Sequence, residues 1–132
     1  MHLLKPKYKI QISQLPNCGK GLFTMQAIKK YQYIFQYTGK IRRKSEVNVN
    51  NMYCVSLSQK CVLDGFNREN ICRFINDAEG YVTCSTFANN TCLVRWKNKV
   101  FIQAIRDISK KEELFLAYGL DYWKVFVDNQ AK

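Results

Sequence analysis

Three short segments carry the residue types that could do chemistry. In Gly19-Lys20-Gly21-Leu22-Phe23, two glycines stand two apart after an alternating run, a spacing that lets backbone come close to a ligand. The same spacing also makes an ordinary tight turn. In Arg73-Phe74-Ile75-Asn76-Asp77, an amide sits beside a carboxylate after apolar residues. Asn76 offers both a donor and an acceptor, which suits a zwitterionic ligand or, equally, an Asx turn. In Glu112-Glu113-Leu114-Phe115-Leu116-Ala117-Tyr118-Gly119, a tyrosine precedes a glycine where a strand should end. Such a tyrosine can project its hydroxyl into a cleft, or sit half-buried with the hydroxyl satisfied. The single histidine, His2, lies at the chain start, so Ser-His-Asp, Cys-His and His-rich metal chemistry have no partner in the body of the chain. No G-x-G-x-x-G and no GK[ST] is present, so neither a dinucleotide fingerprint nor a P-loop is indicated.

The elements that must position these residues read as strands. Runs with period two or with aromatic and β-branched content fall at 8–12, 22–28, 31–37, 53–57, 61–63, 91–96, 100–104 and 114–116. Turn signals separate them at 17–21, Thr38-Gly39, the Asn-rich 48–51, Asp64-Gly65, 97–99 and 109–111. Helical periodicity is poor: residues 70–76 could make one or two turns, and 121–127 a short terminal segment of either kind. No internal repeat is visible. The expected class is mostly β, in a single domain over 1–132 with its core at about 8–123.

Composition narrows the class of function. The chain has 132 residues, 47% hydrophobic, too short for two comfortable domains and too apolar for wholesale disorder. No apolar run reaches membrane-spanning length, and the N-terminus lacks the apolar core of a secretory signal, so a non-secreted chain is expected. Six cysteines without any C-x-x-C pair argue for reduced, mostly buried thiols and against a structural zinc. The net charge of +11 is one-sided. Ten Lys/Arg and no acid precede Glu46, with the densest run at Lys40-Ile41-Arg42-Arg43-Lys44. That excess fits a surface meeting phosphate or an acidic face, and equally a solvated surface.

In order and spacing, these segments resemble the SET domain of protein lysine methyltransferases. The likeness runs over about residues 8 to 123: GKGLF, then AIKKYQYIFQYTGKI (27–41), RFIND (73–77), residues 89–92, AIRDI with KEEL (104–114) and AYG (117–119). The resemblance implies a fold of small curved sheets in which residues 114–119 thread past the 71–77 loop as a pseudoknot. It implies S-adenosyl-L-methionine as cofactor and methyl transfer to a neutral lysine amine, with a histone tail as first-choice substrate, in nucleus or cytoplasm. By resemblance, Gly19, Lys20 and Gly21 form the cofactor loop, Asn76 holds the methionine moiety, and Asp77 stands where a histidine contacts adenine through backbone. Trp123 would cover the adenine. Tyr118 would stand at the methyl-transfer point, with Tyr37 and, more loosely, Tyr53 as walls of the lysine channel. No metal is implied. Lys40, Arg42, Arg43 and Lys44 are candidates for nucleosomal DNA.

The chain also departs from that pattern. Asp77 replaces the histidine, and the usual Ser-Cys-x-Pro-Asn-Cys stretch becomes a longer 78–92 segment without proline, in which Asn90 stands for the family asparagine. Cysteine-rich flanking modules are missing. These departures keep two alternatives open: a degenerate SET module serving as a chromatin or nucleic-acid adaptor, and a methyltransferase for a non-histone protein.

Overall fold

A computed structural model describes residues 2–47, 53–79 and 86–117. Among the described residues, eight strands form three small antiparallel sheets. β1 (Tyr8–Ile12) pairs with β2 (Lys20–Thr24), with Ile10 opposite Leu22. β3 (Tyr33–Tyr37), β8 (Lys99–Ala104) and β7 (Thr91–Trp96) form the second sheet, in the order β3-β8-β7. β7 and β8 make a hairpin in which Trp96 opposes Lys99, and the two-residue loop takes Lys97 to a φ of 56°. β4 (Lys40–Arg43), β6 (Cys61–Asp64) and β5 (Cys54–Ser56) form the third sheet, β6 at its centre.

The apolar runs of the central strands become strands because their buried members meet in one core, whereas β1 contributes only Ile10 and leaves Tyr8 and Ile12 exposed. Leu22, Ile34, Val100, Ile102 and Leu114 are fully buried there with Ile28, Ile75 and Ile108. Three expectations shift. Residues 114–116 pair only through isolated bridges, to Asn76 and Thr91, so this segment is a crossing strap rather than a strand within a sheet. The basic run at 40–43, with no alternation to mark it, is strand β4, held by pairing to β6. Residues 71–74 make one 3-10 turn, in place of the helical turns allowed for 70–76. The 121–127 segment lies outside the described residues.

A backbone repeat exists that identity does not show. Ile28 and Ile108 each donate an N–H to the other's carbonyl at 2.8 Å. Around that pair each backbone bond between the two segments has a counterpart. Tyr31 N–H to Ala104 O (2.9 Å) matches Lys111 N–H to Thr24 O (2.7 Å), and Ala104 N–H to Gln32 O (2.9 Å) matches Thr24 N–H to Glu112 O (3.0 Å). Tyr31 and Lys111 both take positive φ, 73° and 78°. Gln32 and Glu112 cap their turns alike, each accepting a backbone N–H three residues earlier, from Lys29 and Ser109. Little beyond Ile28/Ile108, Lys30/Lys110 and Phe35/Phe115 is identical between the two copies, so the likeness lies in turn geometry.

Cys18, Cys54, Cys61, Cys72 and Cys92 are unbridged thiols. Of these only Cys72 is buried, the others being half-buried. Burial pushes the Cys72 thiol up to about 12 and the Cys54 thiol up to about 11, so neither is a nucleophile near neutral pH.

Candidate cofactor and substrate site

Residues 13–21 are shaped by a carboxylate that the sequence did not single out. Glu113 is 1% exposed, and its two oxygens accept from Ser13 Oγ (2.6 Å) and Gln14 N–H (2.8 Å). A buried carboxylate is tolerable only when so bonded. Gly21 follows from it: a Cβ there would fall 2.2 Å from Glu113 Oε2. Gly19 adopts a φ of 64°, and its carbonyl accepts from Ser13 N–H at 2.8 Å. Nothing in the pair Glu112-Glu113 says which is buried. The structure does: Glu112 faces out to Arg106 (3.1 Å), while Glu113 faces the loop.

Asn76 meets this loop from the other side. Its Nδ2 donates to the Lys20 carbonyl at 3.0 Å, and its own carbonyl accepts from Leu116 N–H at 2.9 Å. Among the described residues its Oδ1 has no hydrogen-bond partner. Asn76 is thus a half-buried amide fixed by its donor end, with the acceptor end left for a ligand. That arrangement fits the ammonium end of an amino-acid-like molecule lying on the 19–21 backbone.

Asp77 does something different from its neighbour. It is 6% exposed, and its Oδ1 accepts from Asn89 Nδ2 (3.0 Å) and from Glu79 N–H (2.9 Å). Asn89 returns a bond, its Oδ1 accepting from Ala78 N–H at 2.8 Å, while its own N–H meets Glu79 Oε2 at 2.6 Å. The carboxylate therefore closes the lengthened 78–89 loop on itself. Asp77→Asn keeps the accepting Oδ1 and should melt close to wild type. Asp77→Ala leaves the buried Asn89 amide without its acceptor and should cost about 1–3 kcal/mol. Thermal melting of the two variants side by side checks this.

Asn90 and the strap complete the frame. Asn90 is fully buried; its Oδ1 accepts from Phe115 N–H (2.7 Å) and its Nδ2 donates to Glu113 O (2.9 Å). The 113–116 strap is thereby held against Leu22–Phe23, Asn76 and Thr91 at once.

On the other side, Tyr37 and Tyr53 come together. The buried Tyr37 hydroxyl donates to the Tyr53 carbonyl at 2.8 Å, and Gly65 N–H donates to the same carbonyl at 3.1 Å. The Tyr37 ring lies against Gly65, where any Cβ would stand 2.3 Å from Cε1. The Tyr53 ring packs on exposed Phe66, with centroids 5.4 Å apart. Asn70, buried behind them, donates from Nδ2 to Gly65 O at 2.9 Å and accepts from Thr38 N–H at 3.3 Å. Phe66 and Asn70 were not expected from sequence; the Asp64-Gly65 turn signal beside them was their only trace. Lys40, Arg42 and Arg43 lie on exposed β4, with Lys44 directly after it; Lys40 is at the end nearer the tyrosine pair and Lys44 at the far end. Tyr118 and Trp123 fall outside the described residues. No group of His, Cys, Asp and Glu among the described residues could hold a metal, and no described helix is long and apolar enough to cross a membrane.

Comparison with known proteins agrees with this frame. The chain is 27% identical over 129 residues to the histone-lysine N-methyltransferase MEDEA of Arabidopsis thaliana, covering 88% of this chain and 17% of that protein. It spans less than a fifth of the length of the curated relatives it matches. The polycomb repressive complex 2 of Chaetomium thermophilum, solved in an autoinhibited conformation bound to S-adenosylmethionine, superposes with a TM-score of 0.68. That match has 23% identity and covers 96% of this chain and 17% of the other. The methyltransferase domain of human PR domain-containing protein 2 gives a TM-score of 0.67 at 20% identity, over 86% of this chain and 78% of the other. Residues 19–119 match the SET domain family, and the chain with its strapped sheets belongs to that family.

Proposed function

We propose that this protein is an S-adenosylmethionine-dependent protein-lysine N-methyltransferase, with a histone tail as its first-choice substrate and the nucleus as its place of action. The observation that carries this reading is the Asn76 amide, fixed by Lys20 O and leaving Oδ1 for a ligand, in a chain of the SET family. The name of MEDEA supports the choice of histone, and the ligand bound to the polycomb complex supports the choice of cofactor.

In this reading Gly19, Lys20, Gly21 and Asn76 hold the cofactor's amino-acid end, and Asp77 acts through the loop it closes. Trp123 covers the adenine. The bound cofactor supplies an electrophilic methyl group on sulfonium. Tyr37 and Tyr53 wall the lysine channel and Tyr118 ends it. A free lysine has a pKa of about 10.4, so only roughly one in 2,500 is neutral at pH 7. An apolar aromatic channel disfavours the ammonium and lets its proton leave to water. The same rings stabilise the methylammonium product by cation–π attraction. Alignment of amine and methyl supplies most of the acceleration, with no metal required. The partners of this reading are a histone or other protein substrate and nucleosomal DNA.

Cofactor binding tests it first. At a hundredfold excess over Kd, S-adenosylmethionine should stabilise the wild type by about 2.7 kcal/mol in a thermal-shift titration. Asn76→Ala should remove most of that shift, because the ligand's charged amine loses its acceptor. No shift at millimolar cofactor would favour the adaptor reading, which draws on Asp77 in the histidine position. Labelled cofactor incubated with histones, nucleosomes and cell extract then separates histone from non-histone substrates.

A further inference from the structure

The third sheet carries a row of cations of which Asp64 answers only one. β4 is an edge strand, all four of its residues are exposed, and Arg42 alone is paired, to Asp64 at 3.3 Å. Lys44 N–H donates to the Lys60 carbonyl at 2.8 Å, which brings a fifth, sequence-distant and exposed cation to the same end. Lys40, Arg43, Lys44 and Lys60 make no ion pair among the described residues. Lysines along an edge strand discourage the addition of another strand, so this edge works through side chains rather than backbone.

The row has a direction. β4 begins three residues after Tyr37, and its first residue, Lys40, opposes Asp64, next to the Gly65 on which the Tyr37 ring packs. At the rise of a strand, Lys40 to Lys44 runs roughly 13 Å away from that aromatic pair. Successive residues point to opposite faces, so Lys40 and Arg43 project on the two sides of the edge, and Lys44 and Lys60 crown its far end. An acidic peptide would need apolar anchors spaced along the row, and Ile41 is the one exposed apolar side chain on the strand. A nucleic-acid backbone needs none, since it offers a dense line of phosphates to cations on either side.

We propose that Lys40, Arg43, Lys44 and Lys60 form a phosphate-binding edge for nucleic acid, and that the acceptor lysine is taken from a protein lying on that nucleic acid. The second half rests on the methyltransferase reading; the first does not. Free basic tails are then poor substrates, and the same tail beside DNA is a better one.

The test uses the full chain, a labelled DNA duplex of arbitrary sequence, and the variant Lys40→Ala/Arg43→Ala/Lys44→Ala/Lys60→Ala. Anisotropy titrations over a salt series should give a steep log Kd against log salt in the wild type. The variant should be shallower by roughly 0.9 for each cation that meets a phosphate, up to about 3.6. Its melting temperature, measured alongside, should match the wild type, because all four side chains are exposed. Polyglutamate at equal charge concentration should fail to displace the duplex; if it displaces it, the edge serves acidic proteins and the proposal falls. An unchanged slope in a folded variant also overturns it. In methylation assays, the gain of nucleosomes over free tail peptide should vanish in the variant while the free-peptide rate holds. No transfer by the wild type to any substrate would sink the methyltransferase reading and leave the binding edge to stand on its salt slope.

Discussion

Tyr118→Phe is expected to lower kcat by 10²–10³-fold, about 3–4 kcal/mol of transition-state stabilisation, while the fold and the affinity for cofactor persist. The expectation follows from what lies just before it. The strap is pinned by Asn90, by Asn76 O and by Thr91 Oγ1, which donates to Phe115 O at 2.8 Å. Leu116, two positions before Tyr118 in the sequence, is therefore a held point. In the proposed reaction its hydroxyl orients the incoming amine and answers the charge that moves from sulfur to nitrogen. Removing one oxygen and keeping the ring isolates that contribution. An interaction made mainly in the transition state lowers kcat and kcat/KM together. A hydroxyl that merely satisfies the core behaves in the opposite way, with a stability loss of about 1 kcal/mol and turnover near wild type. Turnover and melting temperature on one preparation decide it, and full activity would remove Tyr118 from the catalytic centre.

What the sequence discloses depends on where the information sits. β1 and β7 were legible to the residue, β1 from its alternation and β7 as a largely apolar run of six residues followed by a turn signal. β4 was not: Lys40-Ile41-Arg42-Arg43 has no buried face, so its strand character comes from β6 and not from its own pattern. The repeat about Ile28 and Ile108 was hidden because turn geometry can be kept while side chains change. Lys20 and Gly21 prove to be the first residues of β2, yet the turn signalled by residues 17–21 could be read in advance. Contacts across a hundred positions could not. Ser13 with Glu113 is such a pair, and it alone explains why Gly21 must be glycine. Asp77 shows the same limit. Its sequence position invites a ligand, but its carboxylate is engaged by Asn89 and Glu79, within a loop whose length the sequence displays and whose internal bonds it does not.

Asn90 should prove the most stability-critical polar residue of the described frame. Its side chain supplies both an acceptor to Phe115 N–H and a donor to Glu113 O, and its backbone adds two more bonds, N–H to Phe115 O (3.1 Å) and carbonyl from Ile105 N–H (3.0 Å). Asn90→Ala keeps the backbone pair and strips the side-chain pair, leaving the buried Phe115 N–H and Glu113 C=O without those partners. Each orphan costs about 1–3 kcal/mol, so a total near 3–5 kcal/mol is expected, a large share of a typical domain's 5–15. Asn90→Asp keeps the acceptor but loses the donor and buries a charge, so it should fare no better. Denaturant melts measure the loss, and amide exchange at Phe115 and Leu116 locates it, since these two bonds hold the strap. The damage should then reach the ligand side through Leu116 N–H to Asn76 O, so cofactor affinity falls even in variant protein that is still folded. A loss below 1 kcal/mol with undiminished protection at Phe115 would mean that the strap is held by packing of Leu114 and Leu116 alone. In that case the asparagine would be a passenger in a segment fixed by its apolar neighbours.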